Sequence, residues 1–301
     1  MRKKIVITGA NGSVISRIIP DLHKDYDLVL LVRNSVDKLG EFGRSAHSID
    51  LASAGRDEYR QYFKGADVVF HTAYSFVPTR KSLDSLPIQT RSLDDHRLGV
   101  ALEDITMTFN IMRTALEEGV KRAVIFSSNH AANYYETLLR KGMLETVTED
   151  MVPYASTFYG WSKICQEALG HMFAEGCDTS GRQLEVIMIR LGAPRTDLIE
   201  NVTSNSYYAL RRHFGSYMSK RDELQMMKLC IEKEDIRNSE GIPFQLFYGV
   251  SDNLNRIWSL RNARAFGYEP EDSSYMDFPE RIKTLFTEYI DKETKNKEKK
   301  A

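Results

Sequence analysis

Short apolar runs punctuate the first two-thirds of the chain, separated by longer stretches of helical period. KIVIT (4–8), DLVLLV (27–32), HSID (47–50), ADVVFH (66–71), RAVIFSS (122–128) and LEVIMIR (184–190) read as strands, HSID being the weakest. Helical patterns lie near 13–23, 98–119 and 155–174. Continuous apolar runs suit strands covered on both faces, as in a parallel sheet. Strands alternating with helices predict a doubly wound α/β fold. Ligands of such folds bind beyond the carboxyl ends of the strands, so the residues just after each strand carry most of the information.

Beyond residue 195 the alternation fades. PFQLFYGV (243–250) is the one further strand candidate, set among helical patterns near 221–233, 256–265 and 279–292. The division expected is a core over 1–195, a small cap over 196–290 with one returning strand, and a charged, disordered tail over 291–301. The polar, proline-containing segment 76–97 is a lid or binding loop, or a plain surface excursion.

Composition narrows the classes. The formal net charge of −1 argues against a nucleic-acid or membrane-surface role, which usually needs a concentrated positive field. No apolar run approaches the roughly eighteen residues of a membrane span. The basic start followed by IVIT reads as a buried first strand, because the apolar stretch runs straight into Gly and Asn. Cys165, Cys177 and Cys230 form no C-x-x-C pair, so we expect a reduced, cytoplasmic protein without a structural metal.

Four stretches carry candidate chemistry. TGANGSVIS (8–16) places Gly9, Asn11 and Gly12 between a strand and a helix, a phosphate-cradling arrangement. The third glycine of such loops, which allows close helix–strand packing, is replaced by Ile15. Gly9 and Gly12 are expected to keep a pyrophosphate, with the first helix shifting or tilting around Ile15. LLVRNS (30–35) puts Arg33 where an acid for a ribose 2′-hydroxyl would usually stand; an arginine there pairs with a 2′-phosphate and favours NADP over NAD, or is an ordinary surface arginine. Asp50, followed by Leu51, accepts from an adenine amino group or starts a helix. FSSNHAANYY (126–135) offers Ser128 to a substrate oxygen, or as a helix cap. In YGWSK (159–163), Tyr159 and Lys163 lie four apart on a predicted helix and share a face. An ammonium beside a phenol favours the phenolate, which lets a tyrosine exchange protons near neutral pH. Tyr-x-x-x-Lys arises by chance roughly once in a chain of this size. Its value here comes from the order of glycine turn, serine pair and Tyr-x-x-x-Lys.

With these residues in order, nearly the whole chain, about 1–290, resembles the extended short-chain dehydrogenase/reductases, a group that includes nucleotide-sugar epimerases and dehydratases. Within it the chain is most similar to uronate dehydrogenases: SSNHAANYY resembles their Ser-Ser-Asn-His segment, YGWSK their Tyr-Gly-x-Ser-Lys, and YGVSDNLNRIWSLRNARAFGYEPEDSS (248–274) their C-terminal stretch. The resemblance implies a Rossmann-type sheet with a small C-terminal substrate-binding cap, and an NAD(P)-dependent oxidoreductase of a sugar-like or other polar substrate. It implies Tyr159 as general acid/base, Lys163 on the nicotinamide ribose and Ser128 on the reacting oxygen. Asn129, His130 and Ser75 would contact the sugar, Arg212 its carboxylate, and helices near 98–119 and 155–174 would pair two copies of the chain.

The departures are specific. Besides Ile15, HTAYS (71–75) brings Tyr74 to the place of a small residue beside the cofactor, where it crowds that place or turns away. Asp104 and Met107 stand where the family tends to carry Asn and Gly, and the segments 76–97 and 193–211 are longer. A nucleotide-sugar epimerase with tightly held NAD is the second reading. SSNHAA, where 4,6-dehydratases carry an Asp-Glu pair, argues against a dehydratase. A non-catalytic dinucleotide sensor or scaffold is the alternative of another class.

Overall fold

The structure is a computed structural model that describes residues 2–34, 36–75, 95–177, 181–194, 196–202 and 207–298. The segment 76–97 lies outside the described residues up to position 94, and so do parts of 193–211. Seven strands, β1 (Lys4–Thr8), β2 (Asp27–Val32), β3 (Ala46–Ser48), β4 (Val68–His71), β5 (Arg122–Ser128), β6 (Glu185–Leu191) and β7 (Phe244–Gly249), form one parallel sheet in the order β3-β2-β1-β4-β5-β6-β7. The principal helices are α1 (Ile19–Asp25), α2 (Arg56–Phe63), α3 (Asp95–Glu117), α4 (Tyr135–Arg140), α5 (Phe158–Glu175), α6 (Tyr207–Gly215), α7 (Lys220–Glu232), α8 (Arg261–Phe266) and α9 (Pro279–Glu298).

The continuous apolar runs are explained by alternation within buried strands. Ile5, Ile7, Phe70, Val124, Ile187 and Ile189 enter the core on one face of the sheet. Val6, Val69, Ala123, Ile125, Val186 and Met188 enter the core on the other. Strand order reverses between β1 and β4, where Thr8 is in register with His71. The turn after Thr8 and the segment Thr72–Ser75 therefore meet at the crevice where a doubly wound sheet takes its ligand.

Two expectations need correction. The first helix does not run from 13 to 23. Ile15 is fully buried among Ile5, Ile7 and Ile18, a 3₁₀ turn spans Ser16–Ile18, and α1 begins only at Ile19, with Pro20 in its first turn. The larger side chain is accommodated by delaying the α-helix, and the proline suits a helix start because it has no N–H to satisfy. The tail boundary at 290 falls inside a helix: α9 continues to Glu298, with 291–296 exposed. Its Lys and Glu residues are good helix formers even where nothing packs on them.

The C-terminal part divides by packing. Met226, Met227 and Cys230 of α7, Phe247 of β7 and Phe266 of α8 belong to the sheet's own core. Leu210 and Phe214 of α6 and Ile282 and Leu285 of α9 build a separate small core with Ile199 and Val202.

Candidate active site

A cleft of about 840 Å³ runs along the carboxyl edge of the sheet. In sheet order its wall carries Arg33, Lys38, Asp50 and Leu51 at one end, the turn Gly9–Gly12 in the middle, and Ser75, Ser128, Tyr159 and Lys163 at the other end. Gly9 has φ 69°, and a Cβ there would lie 2.7 Å from the backbone N and Cα of Ala73. Only glycine combines that backbone with that approach. The Gly12 N–H donates to the Gly9 carbonyl at 2.8 Å and closes the turn. Gly12 and Ser13 are exposed on the cleft side, and the Asn11 amide donates to the Asn34 carbonyl, tying the turn to the end of β2. An uncovered glycine turn of this shape fits a pyrophosphate, so the residues present suit a dinucleotide.

Tyr159 and Lys163 are held at the start of α5. Thr157 caps that helix, its hydroxyl accepting from the Gly160 N–H at 3.1 Å. A Cβ on Gly160 would lie 2.2 Å from the His130 carbonyl oxygen, so the glycine in YGWSK lets α5 pack on the turn that follows β5. Lys163 is buried. Its ammonium donates to Gln166 Oε1 at 3.1 Å and to Asp104 Oδ2 at 3.3 Å, and lies 5.6 Å from the Tyr159 ring centroid. Ser128 is also buried. Its hydroxyl accepts from the His130 N–H at 3.2 Å as the cap of the turn Asn129–Ala132, and it lines the cleft.

Residues 9–156 match the model of a family described as NAD(P)H-binding. An NAD-dependent glucose-6-phosphate dehydrogenase of Haloferax volcanii is 26% identical over 283 residues, spanning 91% of this chain and 95% of that protein. An L-arabinose 1-dehydrogenase (NAD(P)(+)) of the same organism is 27% identical over 281 residues, spanning 90% and 97%. The glucuronic acid dehydrogenase structure from Chromohalobacter salexigens superposes with a TM-score of 0.69 at 21% identity, covering 94% of this chain and 90% of that one. The chain is thus similar over nearly its whole length to sugar dehydrogenases, and it shares the fold of a glucuronic acid dehydrogenase.

Most of the site residues expected from the sequence meet in one cleft. Gly9, Asn11, Gly12, Arg33, Asp50, Leu51, Ser75, Ser128, Tyr159 and Lys163 all line it. The Ser75 hydroxyl is buried and has no hydrogen-bond partner among the described residues, as a ligand-facing hydroxyl would. Asp50 accepts weakly from the Ala52 N–H at 3.3 Å and is otherwise open. Asn129 and His130 stand behind the cleft wall. The His130 ring is 5.6 Å from that of Tyr159, and burial, helped by Arg212, pushes its pKa down to about 4. Arg212 does not line the cleft either. Its Nε donates to Glu136 Oε2 at 2.8 Å, and the Tyr208 hydroxyl donates to the same oxygen at 3.1 Å. A carboxylate of the protein already occupies the place expected for a substrate carboxylate.

Three groups at the reacting end escaped the sequence reading as site residues. Asp104 is fully buried and collects Lys163, Ser162 and Gln166 on Oδ2, while Oδ1 has no partner among the described residues. The signal was available: Ala101, Asp104, Thr108, Ile111 and Ala115 share one helical face, and a charge on an otherwise apolar stripe needs a buried partner. His71 is buried between the Thr8 hydroxyl at 2.7 Å and the Thr108 hydroxyl at 3.1 Å. Burial, with Lys163 nearby, pushes its pKa down to about 3, so the imidazole is neutral. Tyr74, whose placement the sequence left open, crowds the site. Its ring meets that of Tyr159 edge-on at 5.0 Å, with the Lys163 ammonium 5.4 Å from its centroid.

Among the described residues no group of three or more His, Cys, Asp or Glu could hold a metal, and no helix is long and apolar enough to cross a membrane.

Proposed function

We propose that the protein is an NAD(P)-dependent oxidoreductase that acts on a hydroxyl or carbonyl of a sugar or sugar acid, with Tyr159 as its general acid/base. The observation that carries the reading is the convergence of Ser128, Tyr159 and Lys163 on one end of a cleft whose middle is the Gly9–Gly12 turn. The dehydrogenases of glucose 6-phosphate, L-arabinose and glucuronic acid named above support the substrate class. The nicotinamide supplies or accepts the hydride. In oxidation the Tyr159 phenolate takes the proton from the substrate hydroxyl; in reduction the phenol returns it. Ser128 Oγ orients the reacting oxygen, and the Lys163 ammonium stabilises charge on Tyr159 and holds the cofactor's ribose. Ser75 positions the sugar, and Asn129 supports Ser128 from behind the wall, its Oδ1 accepting from the Ser128 hydroxyl at 3.4 Å. The buried pair of Glu167 and Arg190, joined at 2.9 and 2.8 Å, braces Ser127 through a 2.6 Å bond and so fixes the end of β5.

Arg33 and Lys38, both exposed at the rim, favour the 2′-phosphate of NADP, with Asp50 reading the adenine. Leu102 and Phe109 of α3 and Trp161 and Met172 of α5 are large apolar residues left 38–51% exposed, and they support pairing of two copies through these helices. The free thiols Cys165, Cys177 and Cys230 suit the cytoplasm.

The test is a screen of uronates, aldoses and sugar phosphates with NAD⁺ and NADP⁺, following nicotinamide reduction, run beside Tyr159→Phe. We expect turnover by the parent, a loss of roughly 10²–10⁴-fold in the variant, and unchanged cofactor affinity. A variant that keeps its turnover overturns the assignment.

A further inference from the structure

We propose that Tyr74 is a specificity-determining residue whose ring holds the reacting end of the cleft and limits entry of the nicotinamide half of a dinucleotide beside Tyr159 and Lys163. The inference rests on the reading of the cleft as a dinucleotide site.

The segment that carries Tyr74 is pinned on its N-terminal side. The Thr72 hydroxyl donates to the Thr8 carbonyl at 2.7 Å, and Ala73 packs on Gly9 so closely that a Cβ there would collide. With its backbone fixed at the crest of the crevice, Tyr74 lines the cleft beside Ser75, Ser128 and Tyr159. Its ring stands at 80° to that of Tyr159. Lys163 is thus met by Asp104, Gln166 and the faces of two tyrosine rings, all from the protein itself. An ammonium held over an aromatic face in a desolvated place is attracted to it. Burial, and Asp104 in the same sense, raise the Tyr74 phenol well above the usual range, so it occupies the cleft as a neutral ring. Among the described residues the other end of the cleft carries no such ring, and Gly12, Arg33, Lys38 and Asp50 are exposed. A ligand confined to that end meets an open surface, whereas one that extends to Lys163 must move the ring. A binding-competent state populated only in part weakens apparent affinity by that fraction.

The test compares two ligands on the full chain. ADP, with its 2′-phosphate where the parent prefers NADPH, spans the open end only; NADH or NADPH, whichever the parent prefers, spans both. By calorimetric titration, Tyr74→Ala should tighten the dinucleotide about tenfold and leave ADP within about twofold. Tyr74→Phe, which keeps the ring, should match the parent. The proposal is overturned if Tyr74→Ala leaves dinucleotide affinity unchanged or weakens it, if Tyr74→Phe behaves like Tyr74→Ala, or if ADP binding is lost with the ring. If the parent binds neither ligand, the dinucleotide reading itself has failed. If it binds both and Tyr74→Ala moves neither, the role of Tyr74 alone has failed.

Discussion

The two ends of the cleft are built on opposite principles. Around the glycine turn the protein offers exposed backbone and two solvent-facing cations, Arg33 and Lys38. Around Tyr159 it offers a buried ammonium, a buried carboxylate, a neutral histidine and an aromatic wedge. The open end can recognise a phosphate through geometry alone, with water completing whatever the ligand leaves unsatisfied. At the closed end Lys163, Asp104 and His71 are buried and each depends on a named partner, so a single substitution among them carries a large cost.

The largest effect on stability should come from Asp104→Leu, which leaves Lys163 buried beside Gln166 without its counter-charge. Breaking one half of a buried ion pair typically costs about 3–5 kcal/mol, and urea unfolding should show it. Asp104→Asn, which keeps a hydrogen-bond acceptor, should cost less. A loss of under about 1 kcal/mol for Asp104→Leu would mean that solvent reaches this end and that the contrast is overstated.

Gly9→Ala should come next. The new Cβ meets the Ala73 backbone, and the left-handed φ strains any other residue. We expect roughly 1–3 kcal/mol of destabilisation together with loss of dinucleotide binding, read by thermal unfolding and by titration. Retained affinity would remove the turn from the binding site.

Acid should attack the closed end first. The folded-state pKa of His71 is depressed from 6.5 to about 3 by burial, so the folded protein binds this proton less readily than the unfolded chain. Its contribution to stability is complete above pH 6.5 and is lost progressively as pH falls toward 3. Glu223 runs the other way: burial raises its carboxyl to about 7, and the stability it lends at low pH is lost as pH rises from 4.5 through 7. His71→Gln should flatten the acid side of the stability profile, and Glu223→Gln the side approaching neutrality. Unchanged profiles would show that these groups are hydrated in solution.

The smallest effect belongs to the open rim. Arg33→Ala and Lys38→Ala should each weaken NADPH about five- to tenfold, near the 1.4 kcal/mol that a factor of ten represents, and leave NADH unchanged. The difference should shrink in high salt, because exposed charges are screened. Equal losses for both cofactors would deny the rim any role in choosing between them.

The open end was legible in the sequence because its determinants are local. A strand, two spaced glycines and a cation after the second strand are each visible in a few consecutive residues, and Tyr159 with Lys163 needs only the helical repeat. The closed end was less legible because its partners are far apart in the chain: Tyr74 follows β4, Asp104 lies on α3 and Lys163 on α5. Arg212 was misplaced for the same reason, since nothing near it in sequence announces Glu136 as its partner. Ile15 was correctly seen to disturb the first helix, but not that the chain would answer with a 3₁₀ turn and a helix delayed to Ile19.

The most direct test of the central claim is isotopic. The parent protein would be incubated with oxidised nicotinamide dinucleotide and a turned-over sugar carrying deuterium on its carbinol carbon, and both products examined by mass spectrometry. The account predicts one deuterium in the reduced nicotinamide for each sugar oxidised, and none of this transfer with Tyr159→Phe. Deuterium that stays in the sugar while its configuration inverts would make the protein an epimerase, and no transfer to the nicotinamide from any sugar in the screen would contradict the account.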